Sequence, residues 1–322
     1  MIISRTPFRI SLFGGSTDYE SYFSKHESLL IGFAINKYCY LSVRKTPSIF
    51  DYKSKLSYSK TEIVNNNSKI NHDGVRGCLD FLSIRYGIEL SHNADLPAQT
   101  GTGSSSAFVV GLLNCLHRLS NKYVTKKELS QQAINVERNI LMETGGIQDQ
   151  IWSAYGGINS ISIEKNGFFH VKPLPICEHF LKNFLERSIL IYTGSTRHSF
   201  KIAKSYNINS SQEHKHKIKE LSHLAYEQFQ EANIENIASL LDKSWNYKKQ
   251  ISNLISNDRI NNFYSQLSED GMIGGKLLGS GGAGFIFGIL SDKVNKKEFR
   301  RKYKQNYVDF NIDFEGSKII NE

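Results

Sequence analysis

The stretch PAQTGTGSSSAFVVGLLNCL, Pro97 to Leu116, constrains the fold more than any other part of the chain. Gly101 and Gly103 alternate with Thr100 and Thr102, three serines follow, and Ala107, Val110, Leu113 and Leu116 then recur at helical spacing. This predicts a glycine loop running straight into a helix. Such a junction presents unbonded backbone N–H groups at the positive end of the helix dipole, and glycine leaves no Cβ between those amides and an approaching anion. Ser104, Ser105 and Ser106 add hydroxyls that can bond a phosphate oxygen or a magnesium ion. An ordinary helix with a serine N-cap would use the same residue types. The loop is not a P-loop, because no GxxxxGK followed by Ser or Thr occurs.

At 322 residues the chain is long for a single core, which predicts one or two domains. A hydrophobic content of 39% and an aromatic content of 11% suffice for a packed globule. Lys plus Arg exceed Asp plus Glu by 40 − 31 = 9, so an anionic partner must be considered. The basic residues are nevertheless dispersed, except for KVNKKEFRRKYK from Lys293 to Lys304, which reads as the solvated face of an amphipathic helix. No RNP, KH or zinc-finger pattern supports nucleic-acid binding. Cys39, Cys78, Cys115 and Cys177 are widely spaced, so buried reduced thiols are expected rather than a metal or disulfide framework. Neither a signal peptide nor an 18-residue apolar run is present, which predicts a cytoplasmic protein without membrane contact.

Read in order, Ile2 to Leu12 predicts two short strands broken at Pro7, followed by a turn through Gly14 and Gly15. Arg9 lies opposite Phe8 and Ile10 in the alternation and faces either water or a ligand. Asp18, an acceptor-only carboxylate after the glycine turn, can take two adjacent sugar hydroxyls or cap the segment that follows. Leu29 to Lys45 reads as a hairpin around Asn36 and Lys37, and Thr46 to Lys69 as a polar surface excursion. Leu129, Ala133, Val136 and Ile140 predict a helix with Glu137 on its flank, and Asp149 opens a further helical segment that ends near Tyr155. After a strand at RSILIYTG, three helices are expected over roughly 211–232, 234–251 and 258–269. Gly194, Arg197, His198 and Lys201 cluster beyond that strand as a second candidate anion site. Gly274 to Leu290 combines a glycine-dense turn with an alternating strand, and VDFNIDFEGSKII reads as a closing strand.

Three of these segments resemble, in order, the signature motifs of the GHMP kinase family. Arg9, Leu12, Gly14, Thr17, Asp18 and Tyr19 match its N-terminal motif, with Gly15 and Ser16 in place of Glu and His. Pro97, Gly101, Gly103, Ser104, Ser105 and Ala107 match its phosphate loop, with Thr102 in place of leucine. GGKLLGSGGAGFIFGIL is similar to its C-terminal glycine motif.

The resemblance implies an α+β fold in two domains, an ATP-binding N-terminal domain over 1–183 and a ferredoxin-like C-terminal domain over 184–322. It further implies that the region from Leu29 to Lys45 helps hold the adenine, and that ATP and Mg²⁺ are the cofactors. Pro97, Gly101, Thr102, Gly103 and the three serines would hold the nucleotide, while Ser105 and Glu137 would hold the metal. Asp149 would serve as base or electrostatic orienter and Arg9 would stabilise charge at the acceptor oxygen. Asp18, Thr17, Tyr155, Arg197 and His198 would bind the acceptor. GGSTDY, GSSSA, GGIQDQ and YTGSTRHS are most similar to members acting on heptose 7-phosphate and to fucokinases. That likeness implies phosphorylation of the C1 hydroxyl of D-glycero-D-manno-heptose 7-phosphate, toward nucleotide-activated heptose for surface polysaccharide. An unphosphorylated sugar such as fucose or galactose, or a non-catalytic sugar and nucleotide sensor that binds a protein partner, would carry the same motifs. A homodimer is left open.

Overall fold

The structure, a computed structural model, describes residues 1–194 and 211–321. Its first half is built on β1 (Ile2–Phe13), a short helix α1 (Glu20–Phe23), β2 (Ser28–Lys45), the hairpin β3 (Ser54–Ser57) and β4 (Thr61–Val64), α2 (Asp73–Phe81) and β5 (Ile88–Ala94). α3 (Ser104–Leu119), α4 (Lys126–Asn135), α5 (Gln148–Tyr155), β6 (Ile158–Ile163), β7 (Phe169–Pro173) and α6 (Glu178–Arg187) follow. The second half holds β8 (Ser188–Tyr192), α7 (Ser211–Gln230), α8 (Ile234–Ile251), α9 (Asp258–Glu269), β9 (Met272–Leu277), β10 (Phe285–Leu290), α10 (Lys296–Lys302) and β11 (Lys318–Asn321).

Two sheets result. Eight strands form the larger one in the order β11-β1-β2-β5-β3-β4, with β6 and β7 continuing from the first part of β2, and β8-β10-β9 form the smaller antiparallel one. β2 is a single 18-residue strand, and β1 is likewise unbroken. The predicted hairpin at Asn36 and the predicted break at Pro7 are therefore both corrected, and they share one cause. The register slips where Phe8 faces Ile35 and Pro7 faces Tyr38, so Asn36 and Lys37 are the extra residues of a bulge. Pro7, which has no N–H to give, sits opposite that bulge. Asn36 is satisfied instead by the tail: its N–H donates to Asn311 O, and its side chain accepts from Asn311 N–H.

The tail contributes less strand than its alternation predicts. Only Lys318–Asn321 pairs with β1, and Ile312 adds an isolated bridge to Ile35. The chain thus ends on the first sheet after building the second. Phe33 of β2 packs against Phe184, Phe287 and Phe310, which makes the apolar core continuous across the two halves. Of the four cysteines, Cys39, Cys78 and Cys115 are buried as expected, whereas Cys177 is exposed. No helix among the described residues is long and apolar enough to cross a membrane.

Candidate active site

The glycine loop enters α3 at Gly103, whose φ of +76° is the left-handed conformation that glycine adopts without strain. No side chain caps this helix, so its first amides remain open toward the cleft in front of them. The loop itself is fixed by buried hydroxyls and backbone. Thr100 Oγ1 donates to Pro97 O, and Thr102 O accepts from Arg9 N–H at 3.0 Å. Pro97 is exposed and Thr102 is buried; neither lines the cleft, whereas Gly101, Gly103 and all three serines do.

Opposite the loop stands α5. Its Trp152 is fully buried against Gly32 of β2, and Asp149 lies one turn earlier on the same face. The Asp149 carboxylate receives a bidentate pair from Arg9, Nε at 2.9 Å and Nη2 at 2.8 Å, while Nη1 donates to Gly101 O. A Cβ added to Gly103 would come within 3.5 Å of the Asp149 carboxylate, so base candidate and phosphate loop are close neighbours, joined through Arg9. Arg9 is buried and lines the cleft, so its strand phase turns it away from the outer surface.

Asp18 also lines the cleft, fully buried, and accepts from Ser16 N–H at 3.1 Å and Gln148 N–H at 3.4 Å. Burial, and then the neighbouring Asp149 charge, push its carboxyl above the usual range. It does not cap α1, whose N-terminus has no side-chain acceptor. Thr17 is a correction: its hydroxyl donates to Gly14 O at 2.7 Å and holds the turn rather than reaching the cleft. Tyr155 is another. At the far end of α5, about 9 Å along the axis from Asp149, it packs among apolar residues. Arg197, His198 and Lys201 lie outside the described residues.

Glu137 is not on a solvated flank. α4 gives way to a π-helical turn over Val136–Ile140, which carries Glu137 inward and leaves Ile140, expected on the apolar stripe, exposed. Glu137 Oε2 accepts from Ser106 Oγ at 3.1 Å and from Gln150 Nε2, and Arg138 stands 3.6 Å away. Its other oxygen, Oε1, is buried without a hydrogen-bond partner. Burial first, then the Glu143 charge, push this carboxyl up to about 8. The serine bonded to Glu137 is thus Ser106, while Ser105 is exposed on the cleft wall. Among the described residues no cluster of three or more His, Cys, Asp or Glu could by itself hold a metal ion.

The cleft, of about 180 Å³, opens into a second of about 620 Å³; Gln99, Ser104, Ser105, Glu143 and Thr144 line both. The larger one is aromatic: His72 stacks on Phe108 at 4.6 Å, with His92 edge-on to Phe108 and Tyr58 edge-on to His72. Residues of β2 line neither cleft. Sequence reasoning missed Lys248 and Lys276, which line the smaller cleft from the second half of the chain. Lys276 stands three residues ahead of the glycine turn and was legible there, whereas Lys248 sits among other lysines of α8 with nothing to distinguish it.

Comparison with known families decides the class. The GHMP kinases N terminal domain matches residues 59–157, and the GHMP kinases C terminal domain matches residues 225–309. The chain belongs to the GHMP kinases. It is 30% identical to D-glycero-alpha-D-manno-heptose 7-phosphate kinase of Campylobacter jejuni over 98% of both chains. It is 24% identical to mevalonate kinase of Methanocaldococcus jannaschii over 96% of this chain and 98% of that one. In fold it resembles a crystal structure of a D-glycero-D-manno-heptose 1-phosphate kinase from Bacteriodes thetaiotaomicron, with a TM-score of 0.82 and 21% identity over 100% of this chain and 99% of that one. This GHMP kinase is therefore a small-molecule kinase of two-domain α+β fold with ATP as its phosphoryl donor.

Proposed function

We propose that this GHMP kinase transfers the γ-phosphoryl group of ATP to the C1 hydroxyl of D-glycero-D-manno-heptose 7-phosphate, giving the 1,7-bisphosphate. The observation that carries the chemistry is the Arg9–Asp149 pair tied through Arg9 to Gly101 O of the phosphate loop, beside the open N-terminus of α3. The identity over 98% of both chains with the Campylobacter jejuni relative supports the acceptor.

In this reading the uncapped amides of α3 and the hydroxyls of Ser104 and Ser105 grip the triphosphate, and the adenine enters the adjoining pocket lined by Tyr58, His72 and Phe108. The unpartnered Glu137 Oε1, buried in the cleft wall, fits a hard cation that keeps phosphate and water oxygens as its other ligands. Glu137 and Ser105 would hold Mg²⁺, which neutralises charge on the phosphates when bound. Ser106 and Gln150 orient the Glu137 carboxylate. Asp149 takes the proton of the acceptor hydroxyl, and Arg9 fixes the carboxylate plane and places positive charge beside the acceptor oxygen. Asp18 and Gln148 bind sugar hydroxyls, and Arg197 and His198 hold the distal phosphate.

A coupled assay with heptose 7-phosphate, fucose, galactose and mevalonate tests this reading, with the highest kcat/KM expected on heptose 7-phosphate. Turnover confined to an unphosphorylated acceptor overturns the assignment. Binding of sugar and nucleotide without turnover identifies a sensor instead.

A further inference from the structure

The second half of the chain sends two lysines into the cleft, Lys248 from α8 and Lys276 from β9, both buried. Lys276 Nζ is engaged by Leu12 O at 2.8 Å. Lys248 Nζ donates to Gly279 O and forms no salt bridge among the described residues. Gly279 in turn lies directly on the phosphate loop, since a Cβ there would fall 2.4 Å from Gly101 Cα. The Lys248 ammonium is therefore held one residue's thickness from the backbone that cradles the phosphates. The Arg9 charge, by contrast, is already matched by Asp149.

A buried cation without a carboxylate bonded to it is costly unless an anion completes its shell. The charges that face Lys248 are Arg9 and Lys276, which repel it, and Asp18 and Asp149, which attract it. Burial leads these effects, and together they push its ammonium down to about 8. In phosphoryl transfer the uncompensated charge sits on the equatorial oxygens of the group in transit, where a preorganised cation is most effective.

We propose that Lys248 is a further catalytic residue, whose ammonium binds the equatorial oxygens of the transferring phosphoryl group from beside the glycine loop. The proposal rests on the kinase reading above. As the bond from the acceptor oxygen to the γ-phosphorus forms, the bridging P–O bond breaks and ADP leaves with its electron pair. The hydroxyl proton goes to Asp149, and Lys248 keeps its protons throughout.

The test compares wild type with Lys248→Gln, which retains a donor for Gly279 O but not the charge, and with Lys248→Arg, which retains the charge. Lys248→Gln is expected to lose about 10²-fold or more in kcat. It should also weaken Mg-AMP-PNP binding while leaving Mg-ADP affinity unchanged, and Lys248→Arg should recover part of the rate. A purely structural anchor would instead weaken both nucleotides equally or lower Tm without that contrast. Should the Gln variant be poorly folded, the ¹³Cε signal of Lys248, assigned from the Arg variant, must shift with Mg-AMP-PNP and not with Mg-ADP. No such shift, or undiminished turnover by Lys248→Gln beside an active wild type, overturns this proposal alone. A wild-type protein that binds no nucleotide removes the kinase reading and the proposal together.

Discussion

Asp149 and Glu137 are both cleft carboxylates, yet their surroundings set them to different work. Asp149 is part-exposed and charge-paired with Arg9, whereas Glu137 is buried with one oxygen unmatched. Asp149→Asn is expected to lower kcat by about 10²–10⁴-fold with ATP affinity retained; a loss confined to KM would remove the base assignment. For Glu137 the pH dependence has a definite sign. Its carboxyl titrates near 8 in the folded protein against an ordinary 4.5. Its contribution to stability is thus fully present below about pH 4.5 and is lost as pH rises through about 8. Asp18 and Glu143 are shifted in the same direction, so the difference between wild type and Glu137→Gln isolates the effect. In metal-free protein, Tm of wild type should fall relative to Glu137→Gln between pH 5 and pH 8, and parallel curves would show that Glu137 is not buried neutral.

At the scale of elements, the site depends on glycines that let loops touch. Gly279 has φ +69° and rests on Gly101, so Gly279→Ala introduces both a strained backbone and a collision with the phosphate loop. A loss of about 1–3 kcal/mol from the strain alone, together with a raised KM for ATP, is expected from denaturation and steady-state kinetics. Gly146 is closer still, for a Cβ there would lie 1.6 Å from the Asp18 carboxylate. Gly146→Ala should raise KM for the acceptor more than for ATP, and an equal rise in both would separate Asp18 from the sugar.

Seen whole, the molecule is tied together by its tail. β11 pairs with β1, Ile312 is buried, and Gly157 N–H donates to Asp313 O at 2.6 Å. A chain ending at Val308 should therefore lose amide protection in β1 as well as in its own half, measured by hydrogen exchange, although it keeps every residue of the cleft. A loss of protection confined to β8, β9 and β10 would show that the tail is dispensable to the larger sheet.

Local patterns were enough for the helices of the second half, for the loop feeding α3, and for the three motifs that identify the family, because each depends on neighbours within a few turns of chain. α8 and α9 run over Ile234–Ile251 and Asp258–Glu269, the bounds their periodicity predicts. Pairing partners decided the rest. The bulge at Asn36 looks like a turn until β1 is laid beside it, and the π turn at Glu137 looks like continuous helix until Ser106 and Gln150 meet its carboxylate. Lys248 is one lysine among 40 Lys and Arg in the sequence. Only packing of the second sheet's helices against the glycine turn buries it in the cleft, since desolvation depends on atoms remote in sequence.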